Sequence, residues 1–549
     1  GSNLIFYDKS LLDNQGTIIL DPNSFLTLND NSQFNSEGKL KLLAGANIVD
    51  NSAGSIKITG SIFAEGILNN PVNFNFTNQT DQLSFVSGDT LKVDYSHFNN
   101  GGLNISSSTN DTKLLLIENS IFTNSSITLN IDMQLADNVD AKLNNVQFLN
   151  FNGGGIGANG LRNFELNGCN FTSGYQNSSG IEIKAIKNLV VNNSYFSCSY
   201  GVVSGSRTDE NNFLVNSENI RIYNCIFNLN TLFETGISTA ISVLNNDRLE
   251  SLSVESCSIS GFNTAINLNN LNDLVPLIIN NTITNFKLFG ISATNGISIK
   301  LFDNNISSSD AISSEYKTGV FISNISNPIL IRNTIHLSSA NIVEGSGIVL
   351  VSSNGEIRAN NIDGFKNGVE LGSSSPNIGS NSIISNKNYG IYIGPDSYPD
   401  LSATIISDER YPVTGFNTIK ENGLCSFYPG YSEIYLSSSY ALLKGGCNII
   451  ADDRYDPSLQ CNHNYLIDGD HVAETINAGE NYWGEINNHN PEGRFGQNIS
   501  VDYGGYLMSP CLYESGTELF VFKDSKGDVY DSLYSDSSTP NELTEIEIK

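Results

Sequence analysis

Basic residues are scarce in this chain of 549 residues: 28 Lys and Arg stand against 57 Asp and Glu, a net charge of −29. That balance excludes nucleic acid and anionic membrane surfaces as natural partners, because both would meet like charge. A polyanionic substrate is disfavoured as well, unless calcium bridges the repelling groups. Charged residues of either sign make up only 15%, yet 39% of the chain is apolar, which is too much for a disordered polymer. No apolar run approaches the roughly 18 residues of a membrane helix, and no secretory leader is visible. The opening Gly1-Ser2 and the late Ser537-Ser538-Thr539-Pro540 read as the ends of a piece cut from a longer precursor, so that missing leader carries no weight. Of the eight cysteines, none has the close CxxC spacing of a zinc site. Helical periodicity is nearly absent too, which leaves strands as the building material.

What is present is repetition. One phrase returns as Ile279-Asn280-Asn281-Thr282-Ile283, Phe302-Asp303-Asn304-Asn305-Ile306 and Ile331-Arg332-Asn333-Thr334-Ile335. A second phrase, glycine before alternating apolar residues, appears as Gly290-Ile291-Ser292-Ala293, Gly319-Val320-Phe321-Ile322, Gly347-Ile348-Val349-Leu350, Gly368-Val369-Glu370-Leu371 and Gly390-Ile391-Tyr392-Ile393. Short strands repeating at a fixed interval predict a solenoid. With the first phrase's Asn as marker, the column reads Asn119, Asn145, Gly168, Asn193, Asn224, Ser256, Asn281, Asn304, Asn333, Asn360 and Asn381, in steps of 21 to 32 residues. Such steps fit one turn of a three-sided parallel β-helix, the longer ones carrying loops at a corner. Asn suits the column twice over: it tolerates a left-handed bend, and stacked amides bond to one another along the axis. The flanking Ile, Val, Leu and Phe alternate inward as core.

The expected fold is therefore all-β: a single right-handed parallel β-helix with a short-coil N-terminal cap over 1–90, regular coils over 91–394 and a loop-rich C-terminal end over 395–514. Residues 515–549 read as a linker or the start of a following domain. Beyond Gly394 prolines enter at 395, 399, 412 and 429, and 14 of the 23 tyrosines fall between Tyr389 and Tyr513.

The coil phrases resemble those of the pectin-lyase-like superfamily across roughly residues 91–510. Leu42-Leu43-Ala44-Gly45-Ala46, Ile58-Thr59-Gly60-Ser61-Ile62-Phe63-Ala64-Glu65-Gly66 and Pro71-Val72-Asn73-Phe74 resemble the opening of secreted bacterial surface proteins of this class. Asn481-Tyr482-Trp483-Gly484, Pro491, Gly496 and Val501-Asp502-Tyr503 resemble their final coil. The resemblance implies an extracellular or cell-surface protein of a Gram-negative bacterium, with a sorting domain for type IX secretion beyond Lys549. It leaves function open, because this fold hosts several activities.

The catalytic motifs of polygalacturonases are missing: no Gly-His-Gly exists, and the only Asp-Asp, Asp452-Asp453, stands far too late in the chain. Nor is there a complete pectate-lyase set. Arg332 and Arg358 are assigned to coil strands, with Asp303 one coil before Arg332, which suits an exposed charge ladder. Weak catalytic candidates are Glu370 and Asp453, as carboxylates able to flank a glycosidic bond. Asp452, Asp453 and Asp456, with Asp468-Gly469-Asp470 beyond, form acidic loops that could hold calcium, the sole cofactor suggested. His463, His471 and His489 lack metal-ligand spacing. Among the tyrosines, Tyr392, Tyr398 and Tyr455, with Glu370, are the ligand-binding candidates. Tyr392 points outward by alternation and Glu370 takes that position one coil earlier, so a ring meets a carboxylate on a flat ladder. Cys169, Cys225 and Cys257 each follow the marker directly, and the last two, on successive coils, are equally compatible with a disulfide and with stacked thiols. The pairing among these three, Cys198, Cys425, Cys447, Cys461 and Cys511 stays open.

The expected function is a non-catalytic secreted or surface protein that binds or adheres to glycan or another surface ligand. The alternatives are a polysaccharide lyase or glycoside hydrolase working from face carboxylates, and a structural spacer.

Overall fold

The computed structural model describes residues 2–507 other than 8–9, 30–31, 52–54, 79–80, 87–89, 108–113, 132–138, 206, 209–213, 216, 230–236, 245–248, 310–315, 339–343, 403–412, 424–430, 453–464 and 485–490; beyond those it describes residues 510, 520–523, 529–530 and 545–548. The chain is an all-β, right-handed parallel β-solenoid. Among the described residues the helical content is one 3-10 turn, Pro491–Arg494. Two compact units are distinguished: residues 1–328 with 333–349, and residues 329–332 with 350–549.

In the first unit one coil serves as specimen. Leu277–Ile279 runs to a bend, Thr282–Thr284 makes the short face, and the long strand Phe289–Phe302 covers the third face and then turns onto the first face of the next coil. The front of that strand pairs in parallel with the preceding coil, Thr264 to Phe289, and its end pairs as Leu277 to Lys300. Period-two alternation buries every second side chain, so Ile278, Ile283, Ile291, Ile299 and Leu301 have no exposed surface. The coils begin at Asn3–Phe6. Their first two steps, Leu4 to Leu26 and Leu26 to Ile48, span 22 residues each, and the next, Ile48 to Phe74, spans 26.

From Phe74 the short face stacks phenylalanine on phenylalanine. Phe74, Phe98, Phe122, Phe148, Phe171, Phe196 and Phe227 follow one another with ring centroids between 4.2 and 5.1 Å apart and nearly parallel planes. Each ring has the next coil's ring as floor, which removes apolar surface and adds roughly 0.5–1.5 kcal/mol per pair.

The marker column divides into two adjacent columns. Asn119, Asn145, Gly168, Asn193, Asn224 and Ser256 are bend residues with φ between 48° and 64°. At the following coils the bend falls on Asn280 and Asp303, and in the second unit on Arg332, Ala359, Ser380, Phe416, Cys447 and Glu480. Asn281, Asn304, Asn333, Asn360 and Asn381 stand one residue later and are buried. The single column expected from the sequence thus slips by one residue between Ser256 and Asn281. Asn satisfies either role, a strained bend or a buried amide rung, and this hides the slip. Arg332 accordingly sits at a bend rather than in a strand, whereas Arg358 ends the strand Glu356–Arg358.

The buried rungs bond along the axis. In the first unit the Asn281 side-chain amide donates to Asn304 Oδ1 (3.0 Å) and the Val254 carbonyl (2.9 Å), and Asn304 donates to Asn333 Oδ1 (2.9 Å). In the second unit Asn360, Asn381, Asn417, Asn448 and Asn481 continue the pattern, with Nδ2 to Oδ1 distances of 2.9 to 3.0 Å. Cys169, Cys225 and Cys257 occupy this rung position in the first unit: the Cys257 amide donates to Asn281 Oδ1 at 2.9 Å. All three are buried free thiols, as is Cys198. Burial pushes Cys169 and Cys198 up to about 12. The hydrogen bond with Cys225, then burial, holds Cys257 well above its ordinary value, so Cys169, Cys198 and Cys257 are poor nucleophiles, whereas the same hydrogen bond draws Cys225 down. Cys447 is disulfide-bonded; Cys425, Cys461 and Cys511 lie outside the described residues.

The second unit also closes the coil stack. Asn481 ends its ladder and Trp483 is fully buried, edge-on to Phe495 at 5.5 Å. Phe520–Lys523, Val529–Tyr530 and Glu545–Ile548 form a small antiparallel sheet.

Candidate functional site

Four strands of the second unit carry the candidate face: β1 (Asn367–Gly372), β2 (Tyr389–Ile393), β3 (Ser432–Ser437) and β4 (Tyr465–Asp470). They pair in parallel so that Val369, Ile391, Ile434 and Ile467 form one buried row. The next residue on each strand turns outward. Alternation therefore lines up Glu370, Tyr392, Tyr435 and Asp468 on the surface, about 4.8 Å apart from coil to coil.

The row is an aromatic step between two carboxylates. The Tyr392 and Tyr435 rings stack with centroids 5.6 Å apart and planes 6° from parallel. Tyr389 leans on both, at 5.7 Å from Tyr392 and 4.7 Å from Tyr435, and Tyr431 meets Tyr389 edge-on at 6.2 Å. At one end the Asn367 amide donates to Glu370 Oε2 (3.2 Å). At the other, Asp468 shares β4 with Asp470, two residues on and so on the same face.

These groups are electrostatically strained. Partial burial, and then the charge of Asp470, raises the Asp468 carboxyl above the usual carboxylate range. Burial first, and then Asp470 and Asp468, raise the Tyr435 hydroxyl. Tyr389 is raised by burial, with Tyr435 and Asp468 adding to it. Asp470 Oδ1 is shielded and accepts no hydrogen bond, while its Oδ2 stands 3.5 Å from the imidazole of His471. Perturbed groups clustered on one exposed face mark a functional candidate.

Behind the face lies a buried carboxylate. Glu433 occupies the position held by Gly390 one coil earlier, and it is fully buried. It accepts from the Asn422 backbone amide (3.0 Å) and from the Asn422 side chain. Asn422 in turn accepts from Asn386 (2.9 Å), whose Oδ1 accepts from the Phe365 amide (3.2 Å). A second amide ladder thus runs to Glu433 beneath the tyrosines.

Of the residues singled out from sequence, Glu370 and Tyr392 share the row. Tyr398 is set apart from the rings, 55% exposed after β2, its amide donating to Ser375 Oγ (3.1 Å). Asp468 and Asp470 belong to a strand rather than to the acidic loop expected. Asp452 is buried beside the short-face strand Ile449–Ala451 rather than on an open loop; Asp453, Tyr455 and Asp456 lie outside the described residues. Among the described residues no three His, Cys, Asp or Glu side chains converge as a metal site. Tyr435 and Asp468 went unplaced because their coils lack the marker glycine: Ser432-Glu433-Ile434-Tyr435 and Tyr465-Leu466-Ile467-Asp468 repeat the phrase with Glu433 and Leu466 in its place.

Comparison with known proteins agrees on architecture. Residues 264–410 match the family described as right handed beta helix region. No curated protein matches the chain. Among solved structures it is similar to the periplasmic alginate epimerase AlgG, at 12% identity, covering 77% of each chain with a TM-score of 0.28. It is similar also to a tailspike protein of E. coli bacteriophage HK620 in complex with pentasaccharide, at 13% identity over 92% of this chain and 76% of that one, TM-score 0.30. PfbA, a surface adhesin of Streptococcus pneumoniae, gives 11% identity over 96% and 92%, TM-score 0.24. At such scores these likenesses carry no argument about this chain.

Proposed function

We propose that this β-helix binds glycan on the outer face formed by Glu370, Tyr392, Tyr435 and Asp468. The observation that carries the reading is the pair of parallel tyrosine rings set between carboxylates on a flat ladder of strands. A sugar ring offers an apolar C–H face for stacking, while carboxylates and tyrosine hydroxyls fix its hydroxyl groups. Glycan-array binding followed by calorimetry tests it. Replacing Tyr392 and Tyr435 together with Ala should abolish binding with the thermal transition intact, and a wild-type protein that binds no polysaccharide at all sinks the reading.

A second reading, glycoside cleavage, is favoured by one observation: Asp468 and Asp470 stand about 7 Å apart on one face of β4, within the spacing of two carboxylates that share a bond and a water. Glu370 cannot be the partner of Asp468. Three coil steps separate them, about 14 Å, against roughly 6.5–9.5 Å for two carboxylates that share a bond and a water. Release of reducing ends from a polysaccharide panel, lost in Asp470→Asn, distinguishes cleavage from binding.

An extracellular or surface position reached by type IX export belongs to the same proposal. It is supported by the resemblance of residues 42–74 and 481–503 to secreted surface proteins, and cell fractionation with surface proteolysis tests it. No helix among the described residues is long and apolar enough to cross a membrane.

A further inference from the structure

The geometry points to a glycan bearing protonated amino groups, a polymer of 2-amino-2-deoxyhexose, as the ligand class of the tyrosine face, with its rings on Tyr392 and Tyr435 and an ammonium on Asp468 and Asp470. This rests on the glycan reading above and narrows it.

The argument is one of charge placed beside rings. Tyr435 stands next to Asp468 in the row, and Asp470 lies about 7 Å further along the same strand on the same side. A cation held there meets two carboxylates and the edge or face of Tyr435, which adds a cation–π attraction. The Asp470 side chain, 44% exposed, presents its carboxylate on the same face as Asp468. A ligand ammonium between them relieves the repulsion of the two aspartates. The nearby lysines lie at the opposite margin. Lys366 and Lys387 precede β1 and β2, so Lys387 is about 16 Å along the strand from Tyr392. His471 stands 3.5 Å from Asp470 Oδ2 and competes with the ligand for that carboxylate, while Arg494 precedes the Phe495-Gly496 segment that packs beside Asp468. A uronic acid polymer would bring like charge to the same two carboxylates.

Calorimetry on the full chain with three oligosaccharides of equal length decides it: glucosamine, its N-acetylated counterpart, and galacturonate, in mildly acidic buffer. The glucosamine oligomer should bind about tenfold more tightly than the acetylated one, the effect of one or two charge-assisted hydrogen bonds, and the difference should shrink with added salt. Asp468→Asn with Asp470→Asn should erase the preference and leave the weaker acetylated binding in place, whereas His471→Ala should enlarge the preference. Tyr392→Ala with Tyr435→Ala should lose both ligands. Equal or tighter binding of the acetylated or uronate oligomer overturns the amino-sugar assignment while the glycan reading stands. If none of the three binds but another neutral polysaccharide does, through the same tyrosines, the assignment again falls alone. If nothing binds, both fall.

Discussion

Two stretches of this solenoid solve the same problem with opposite chemistry. From Phe74 to Phe227 the short face is held by a column of stacked rings, and the neighbouring rung position is filled by Ser, Val or Cys. From Asn360 to Asn481 the rings are gone, the short face is Ile on Ile, and every rung is a buried asparagine bonded to the next. Ring stacking is tolerant: a phenylalanine can slide or tilt and still bury its surface. An amide ladder is not, because a misplaced rung leaves a donor and an acceptor buried without partners. The candidate face lies on the second kind of coil. Glu370, Tyr392, Tyr435 and Asp468 ride on the coils of Asn360, Asn381, Asn417 and Asn448, so their alignment inherits the register of a hydrogen-bonded spine. Coils carrying long insertions, such as the 36-residue step from Ile383 to Ile419, need that strict register most.

The same substitution made in each stretch is the sharpest way to break this contrast, and it carries the largest expected effect. Asn417→Leu removes the acceptor of the Asn381 backbone and side-chain amides and the donor to the Ile378 carbonyl. Several buried groups orphaned together should cost roughly 3–5 kcal/mol. Phe148→Leu keeps the site apolar and forfeits two ring contacts, about 1–2 kcal/mol. Urea denaturation combined with hydrogen exchange of the adjacent coils measures both. Equal losses would mean that the asparagine ladder is no stricter than the ring stack.

Next in size stands Glu433. Mutating it to glycine restores the residue found at that position in five of the repeat phrases, and a sequence-based view would expect a gain. The structure predicts a loss of roughly 2–3 kcal/mol, because the Asn422 backbone amide and side chain would be left in the interior without their acceptor. Glu433→Gln, which keeps one oxygen, should lose less than half as much. A shift in the unfolding midpoint reads the stability, and glycan affinity reads whether Tyr389 and Tyr435 move with the ladder beneath them. If Glu433→Gly is as stable as the parent, the second ladder contributes nothing.

Much of the architecture was legible because its signals are periodic: recurring Asn, a leading glycine and alternating Ile each report the same coil. The misreading of the marker column has a definite cause. Asn280 and Asn281 stand side by side, both chemically suited to their places, and spacing alone cannot say which one bends and which one bonds. The face was half legible. Glu370 and Tyr392 shared a register that alternation could read, whereas Tyr435 and Asp468 belong to coils where Glu433 and Leu466 replace the glycine that announces the phrase. Long insertions before those strands removed the other clue, a constant step. The perturbation of Asp468 was not readable at all, since it arises from burial and from Asp470 rather than from any local pattern.

The smallest expected effect concerns that carboxyl, and it tests whether the acidic end of the face is a cost the fold carries. Asp468 holds its proton more tightly folded than unfolded, because burial and Asp470 both oppose its ionisation. Between its unfolded and its raised folded value the native state binds more protons, so stability must fall as pH rises through that window. Below the window the group is protonated in both states and costs nothing; above it the whole penalty is present. Asp468→Asn removes the penalty without removing the shape. Its Tm should match the parent at acid pH and exceed it modestly at neutral pH, the gap opening only across the carboxylate range. A gap of the opposite sign would mean that the Asp468 charge is stabilised in the folded protein, and the strain that makes this end of the row ready for a cation would not exist.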